Sequence, residues 1–410
     1  MYKRMGIPGV ILLFFIISLL LKVSVGVTVY KMKGTTSFCD DWKYISYANQ
    51  IIEQGIWVPH HSKLLSDEVD PGLPLILAIL FSIFGENYLV PIVVNGILGG
   101  LLTLLIFYLG KNIFNETVGI FASFWTIFYE LYYRWAPRVL REMWTFFLFP
   151  LIIYMVFLEA KENKVTLKIL LISLLFAFFV HLDERFFLYF PLIAVIIPIL
   201  NHQSLKTSFK KSLIFFVLVL LLMIPWTIRN YKVYGRVVIL TKRTDIILDS
   251  KKRRSIQKKE PWYLSEAQID SIASGLRTYN RHPLEIERIK RGVVPEEYTK
   301  WEQCYNKFLE FWAPCRLTPG YIRGGFRFES RSLRHNLVLM FSYGVLLPFF
   351  FVGLYLTFKI RNIKGIIIIS IIVIHIFMFF WSGSYIDIEF PLIYLLLFLP
   401  LMGFSGYTIN

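Results

Sequence analysis

The chain has 410 residues, 56% of them hydrophobic and only 18% charged, with a mean hydropathy of +0.57; this excludes a soluble globular domain and indicates a polytopic membrane protein. The net charge of +16 does not point to nucleic acid, because the Lys and Arg residues cluster between apolar runs and in one long loop. Membrane phosphates, in lipid headgroups or on a phosphorylated lipid, fit that distribution, and three cysteines (Cys39, Cys304 and Cys315) make no disulfide framework.

The first apolar run, residues 7–30, follows a charged start, exceeds a signal-peptide core and lacks a small-residue cleavage site. It reads as a retained first span. The stretch 31–87 is then the first outer loop. It carries two adjacent carboxylates, Asp40 and Asp41, followed by apolar residues at 44, 45, 48, 51 and 52. That spacing is one face of a helix, with Asp40 or Asp41 to cap it and Gly55 to end it. The pair stands just beyond a bilayer surface, where acidic groups avoid hydrocarbon yet stay close to it. Such a position suits an enzyme acting on a lipid-borne substrate. His60, His61, Asp67 and Glu68 follow, and the histidines have no partner at metal-ligand spacing. The run 73–84 is short for a crossing and reads as an interfacial or re-entrant helix, introduced by Pro71 and Pro74 and stopped by Gly85.

Further spans are expected at 88–109, 117–134, 143–158, 166–181, 186–200, 212–228, 337–358, 364–381 and 390–405, about ten in all with the first, at about 20 apolar residues per crossing. They read as free of internal charge. Alternate loops hold Lys3 and Arg4; Lys111; Lys161, Lys164 and Lys168; Lys206, Lys210 and Lys211; and Lys359, Arg361 and Lys364. The positive-inside rule makes these cytoplasmic. The carboxylates at 40–41, 142, 183–184 and 387–389 then fall on the non-cytoplasmic side with the long 229–336 region, which opens with a basic run and turns helical in pattern from Ser265, where Ser265 and Gln268 fit a capping box. The expected organisation is a transmembrane catalytic module at 1–230, a small outer subdomain at 231–335 and C-terminal transmembrane helices at 336–410.

Several short motifs occur in order along the chain. Asp40-Asp41-x-x-Tyr44-x-x-x-Ala48 ends at Gly55, and Pro71-Gly72-Leu73-Pro74 precedes an apolar helix. Arg141-Glu142 opens a span, and Pro225-Trp226-x-x-Arg229-Asn230-Tyr231 closes another before Val233-Tyr234-Gly235-Arg236. Phe308 to Pro314 and Ile388-Glu389-Phe390-Pro391 are weaker elements. Together they resemble the GT-C membrane glycosyltransferases, the group of protein O-mannosyltransferases and lipid A aminoarabinose transferases, with Leu73 in place of the usual aromatic. The resemblance implies an all-α polytopic GT-C-like bundle with interfacial helices in the first outer loop. It implies transfer, with inversion, of a sugar from a polyprenyl-phosphate donor to a hydroxyl on a glycan, lipid or protein, at the non-cytoplasmic face of the cell membrane.

In that reading Asp40 is the general base that takes the acceptor proton. Asp41 is its partner, and two like charges so close push their pKa values apart. Glu142 is the second acidic site. Asp41 and Glu142 are also the candidates for holding a divalent cation such as magnesium or manganese. Phosphate needs Arg or Lys, and the arginine fork is the better match. Arg138, Arg141, Arg185 and Arg229, all at outer ends of spans, are the candidates, with snorkelling to the interface as their alternative role. Asp70 and Asp183 complete the substrate-binding set. The rival classes are a transporter or flippase of lipid-linked sugars, which would carry charges mid-membrane, and an inactive membrane scaffold in which Asp40 is dispensable.

Overall fold

The computed structural model describes residues 2–33, 41–56, 69–162, 164–200, 205–235, 237–241, 321–322, 326–327, 341 and 346–382. The helices are α1 (Tyr2–Lys33), α2 (Asp41–Gln54), α3 (Gly72–Phe84), α4 (Leu89–Ile113), α5 (Glu116–Phe128), α6 (Glu130–Trp135) and α7 (Glu142–Glu159). They continue as α8 (Leu167–Leu182), a 3₁₀ helix (Glu184–Tyr189), α9 (Phe190–Leu200), α10 (Leu205–Tyr234), α11 (Leu346–Lys359) and α12 (Ile363–Ser382). A two-residue antiparallel pair, β1 (Tyr321–Ile322) with β2 (Phe326–Arg327), lies between α10 and α11 in the sequence. The expected span at 390–405, the helical pattern from Ser265 to Phe311, Arg236, Glu389, His60, His61, Asp67, Glu68 and the three cysteines lie outside the described residues.

Local signals set most boundaries. Asp41 is the first residue of α2, and Gly55 at φ 78° ends it, with its N–H on the Ile51 carbonyl at 2.9 Å. Asn115 and Thr166 cap α5 and α8 through their side chains. Gly85 ends α3 at φ 74°. With 13 residues, α3 is about 20 Å long, short of the ~30 Å hydrocarbon core. Helices α4, α7, α10 and residues Gly6–Met32 of α1 are long and apolar enough to cross a membrane. Helix α1 packs on α4, α4 on α5 and α7, α7 on α8, and α8 on α10, while α2 packs on α3 and α3 on α8. The core between them is aliphatic and aromatic, from Leu77 and Ile106 through Phe146, Phe176 and Phe179 to Phe215.

Two expectations are corrected. The span expected at 117–134 is broken: Tyr129 leaves helical geometry at φ −68°, ψ 117°, separating α5 from α6. A break inside an apolar environment frees carbonyls that must find donors, and two side chains supply them. Lys22 Nζ donates to the Thr126 carbonyl at 3.3 Å, and the Tyr133 hydroxyl donates to that of Ile127. The second correction follows from the first, because the spans are not free of internal charge. Lys22 sits in the middle of α1, fully buried. Gly99 makes room for it: a Cβ there would come within 2.4 Å of the lysine Cδ.

The two sets of loops gather at opposite ends of α7 and α8. At one end Lys364 donates to the Asn112 carbonyl at 2.8 Å, and Lys211 pairs with Glu159 at 3.0 Å. Lys211, expected in a loop, is buried between α7 and α10, and its Nζ also donates to the Glu159 and Glu162 carbonyls, both at 2.8 Å. The other end holds the carboxylates and arginines.

Candidate active site

The Pro71-Gly72 element brings α3 onto the end of α8. A Cβ on Gly72 would lie 2.8 Å from the backbone of His181 and Leu182, so only glycine permits this approach. Asp70, one residue before the turn, is thereby placed over Arg141. Arg141 Nη1 donates to the Asp70 carboxylate and, at 3.3 Å, to the Leu182 carbonyl. Its Nη2 lies 3.3 Å from Asp183. Asp183 in turn is gripped by Arg185 Nε at 2.8 and 3.0 Å and caps the 3₁₀ helix by accepting the Arg185 N–H at 3.1 Å. Asp70 also accepts the Glu184 N–H at 3.2 Å.

Burial by itself raises the Asp183 pKa, but Arg141 and Arg185 outweigh it and hold this carboxyl well below the usual carboxylate range. Arg141 likewise stays well above its ordinary value despite burial, because of Asp183, Tyr44, Asp70 and Glu142. Four of the residues expected to bind substrate are therefore brought together, bonded to one another. Asp183 is therefore a weaker base than an ordinary carboxylate. This set fixes the relative position of three helix ends.

Asp41 belongs to a second group. Its side chain is 4% exposed, and the carboxylate accepts the Val139 N–H at 3.3 Å across 98 residues of sequence. Val139 lies in the turn 136–141 between α6 and α7, directly after Arg138. The Arg138 guanidinium stands over the Trp135 ring at 4.9 Å. Asn95 of α4 holds this turn by its side-chain amide, donating to the Arg138 carbonyl at 2.7 Å and to the Ala136 carbonyl at 3.4 Å. Glu142, at the first position of α7, is buried beside Arg141. Glu184 is buried at the same end and accepts from the Thr241 hydroxyl at 2.5 Å. Asp40 lies outside the described residues.

Arg229 is enclosed. It is 2% exposed, with Nε donating to the Ile56 carbonyl at 2.6 Å, Nη2 to the Tyr47 hydroxyl at 3.1 Å and Nη1 to Asn230 Oδ1 at 2.9 Å. Its guanidinium stacks on Trp226 at 4.7 Å. Asn230 donates to the Val238 and Leu240 carbonyls, both at 2.9 Å, and Trp226 Nε1 donates to that of Leu240 at 2.9 Å. The Pro-Trp-x-x-Arg-Asn motif thus clamps α2 and the 237–241 segment to α10. Of the four candidate arginines, Arg138 is the one whose guanidinium makes no hydrogen bond or ion pair among the described residues. Sequence reasoning missed Asn95, Tyr47 and Thr241. For Asn95 a signal existed, a polar side chain inside an otherwise apolar run.

Among the described residues, no group of three or more His, Cys, Asp or Glu side chains is placed to hold a metal ion. Asp41 and Glu142 would need Asp40 or a substrate oxygen to complete a site.

Residues 68–228 match the family described as dolichyl-phosphate-mannose-protein mannosyltransferase. No curated protein sequence matches the chain. Among solved structures, the oligosaccharyltransferase of Archaeoglobus fulgidus in its apo form is similar at 13% identity and a TM-score of 0.57, over 98% of this chain and 51% of that one. The same organism's oligosaccharyltransferase AglB, in complex with an inhibitory peptide and a dolichol-phosphate, is similar at 14% identity and 0.55, over 98% and 50%. Its complex with zinc and sulfate is similar at 13% identity and 0.54, over 96% and 49%. The chain spans about half the length of these structures. At this identity the likeness establishes the fold alone: the chain shares the GT-C architecture of that oligosaccharyltransferase.

Proposed function

We propose that the chain is an integral-membrane glycosyltransferase that moves a sugar from a polyprenyl-phosphate donor to a hydroxyl acceptor on a glycan, lipid or protein. The observation that carries this reading is the bond from the Val139 N–H to Asp41. It sets Asp41 of the first-loop acidic motif against the turn that bears Arg138, which supports a proton acceptor and a phosphate-neutralising group acting at the same end of the bundle. The family match describes a dolichyl-phosphate-mannose transferase, and the AglB structure contains dolichol-phosphate; both support a lipid-phosphate donor.

The acceptor oxygen attacks the anomeric carbon while its proton passes to Asp40. The bond from that carbon to the phosphate oxygen breaks, and its electron pair stays on the polyprenyl phosphate. A phosphate leaving group needs no protonation when a cation neutralises it, which is the role of Arg138. One displacement inverts the anomeric centre. Asp41, held on Val139, orients its neighbour. A divalent cation, where the enzyme uses one, would be held by Asp41 and Glu142 and would supply further neutralisation of the phosphate. The alternating lysine loops support a site on the non-cytoplasmic face of the cell membrane.

The test is transfer from a radiolabelled polyprenyl-phosphate sugar in detergent. Asp40→Asn keeps the shape of the side chain and removes the base, so turnover should fall about 10²–10⁴-fold, with donor binding changed far less. Asp41→Asn should be milder. Parental transfer by both variants would remove the first loop from the catalytic centre. Movement of labelled lipid across vesicles with no transfer would instead indicate a flippase.

A further inference from the structure

Lys22 is a charged-type side chain at full burial inside a helix fit to cross the membrane, and nothing in the proposed chemistry uses it. A lysine amine there is costly unless every donor is satisfied. Here the three donors meet three neutral oxygens: Ser18 Oγ, the Gly99 carbonyl at 3.2 Å and the Thr126 carbonyl at 3.3 Å. The rings of Tyr132 and Tyr133 lie 5.2 and 5.9 Å from the nitrogen. Ser18 is itself tied to α4, accepting from Thr103 Oγ1 at 2.8 Å. A lysine that only joined α1 to α4 would need no partner on α5. This one reaches the carbonyl released by the helix break at Tyr129.

The break has a structural consequence at the site. Segment 129–141 leaves α5 at Tyr129, runs through α6 and ends at the turn that holds Arg138, the Val139 N–H and Arg141. Lys22 grips the Thr126 carbonyl in the last turn of α5, from which this segment departs. Asn95, on the face of α4 that packs on α1 through Gly96 and Gly99, grips its end at the Ala136 and Arg138 carbonyls. The geometry points to Lys22 as a positioning residue that, with Asn95, sets where Arg138 stands. Without it the Thr126 carbonyl loses its donor. The local alternative is for α5 to run on through Tyr129 as a regular helix, restoring the backbone bond from Glu130. That would rotate and shift everything up to Arg138. The proposal rests on the reading of Arg138 as the phosphate-binding arginine.

The experiment compares the full-length parent with Lys22→Met, which keeps the length of the stem without its donors. Asn95→Leu and Arg138→Ala serve as companions, and each variant is checked for a parental elution profile and melting. Hydrogen exchange of the 129–141 peptide is read together with kcat and the donor KM for a polyprenyl-phosphate sugar. Lys22→Met should change exchange in 129–141 while leaving peptides of α8 and α10 at parental rates. It should raise the donor KM about tenfold, a loss of about 1.4 kcal/mol, with little change in kcat. In an Arg138→Ala background it should raise KM no further. Should Lys22→Met fail to fold, Asn95→Leu decides by the same three readouts. Parental exchange in 129–141, or a KM effect that multiplies with that of Arg138→Ala, would reduce Lys22 to a strut between helices. A parent that neither binds nor uses the lipid phosphate would overturn the functional reading instead, while the exchange arm still decides whether Lys22 holds the segment.

Discussion

Helices α7 and α8 carry a buried ion-paired group at each end, and the two are built differently. At one end Lys211 meets Glu159, Thr166 donates to the same carboxylate, and two backbone carbonyls take the remaining lysine donors. A few groups close on themselves between helices. At the other end Arg141 and Arg185 share Asp183, Arg141 also takes Asp70, and Asp70 reaches a backbone N–H beyond α8. The planar arginine forks bridge several partners at once, which a lysine point charge does less well. The lysine group joins helices, whereas the arginine group fixes helix ends and the turns between them. In the proposed mechanism the reacting groups stand on those turns, so the arginine group is the one that couples to it.

The comparison breaks most directly through single charge deletions. Lys211→Met takes the lysine from Glu159, and Arg141→Met takes one cation from Asp70 and leaves Asp183 to Arg185. Each should cost about 3–5 kcal/mol, the usual consequence of removing one partner of a buried ion pair. Their effects should then diverge. Folded Lys211→Met should transfer sugar at the parental rate per molecule, while folded Arg141→Met should be impaired. Chemical unfolding paired with transfer per folded enzyme reads both, and equal impairment would erase the distinction. The double variant Lys211→Met/Glu159→Met should recover most of the lost stability, because an apolar pair replaces a buried ionic one with little net cost.

Arg138→Ala sharpens the functional side. It should weaken donor use by about 1.5–3 kcal/mol, tenfold to a hundredfold, with stability near parental. Arg229→Ala, which opens the clamp on α2, should show the reverse. A donor titration beside a melting curve separates them, and the opposite outcome would exchange the roles of the two arginines. Gly72→Ala tests the close approach of α3 to α8. Its Cβ would meet backbone that cannot yield, so a loss of about 1–3 kcal/mol is expected. A parental melting temperature would show that α3 can withdraw without cost.

The smallest effect is in pH. The Asp183 pKa is lower in the folded chain than in the unfolded one, so its pairing stabilises fully above the ordinary carboxylate pKa of about 3.9. As pH falls below that value the unfolded state takes up the proton first, and this stability is lost. Melting temperature should therefore fall progressively as pH drops below about 5 and on through the lowered folded-state pKa, and Asp183→Asn should flatten that slope. An unchanged slope would place the acid sensitivity in another carboxylate.

Where local chemistry decides, the sequence was informative. The apolar runs, the ends of α2 and α3 at Gly55 and Gly85, and the side-chain caps of α5 and α8 follow from neighbours a few residues apart. The order of short motifs resembles the GT-C enzymes, and the fold agrees. The sequence also placed Asp41, Asp70, Arg141, Glu142 and Asp183 at one end of the bundle, because orientation rules depend on loop charge and not on contacts. It left open which of them hold one another. Arg141 could have paired with Glu142 beside it; the fold instead gives it Asp70, 71 residues earlier, and Asp183. Arg229 reads as a span-end anchor or phosphate ligand, and only the packing of α2 against α10 encloses it. The break at Tyr129 is invisible in an apolar run, because the donor that makes it tolerable comes from Lys22, 104 residues away from Thr126. Helices form from bonds four residues apart, so their pattern is written locally. A buried charge or a freed carbonyl must take whichever partner the fold brings within about 3 Å, and that choice belongs to the tertiary structure.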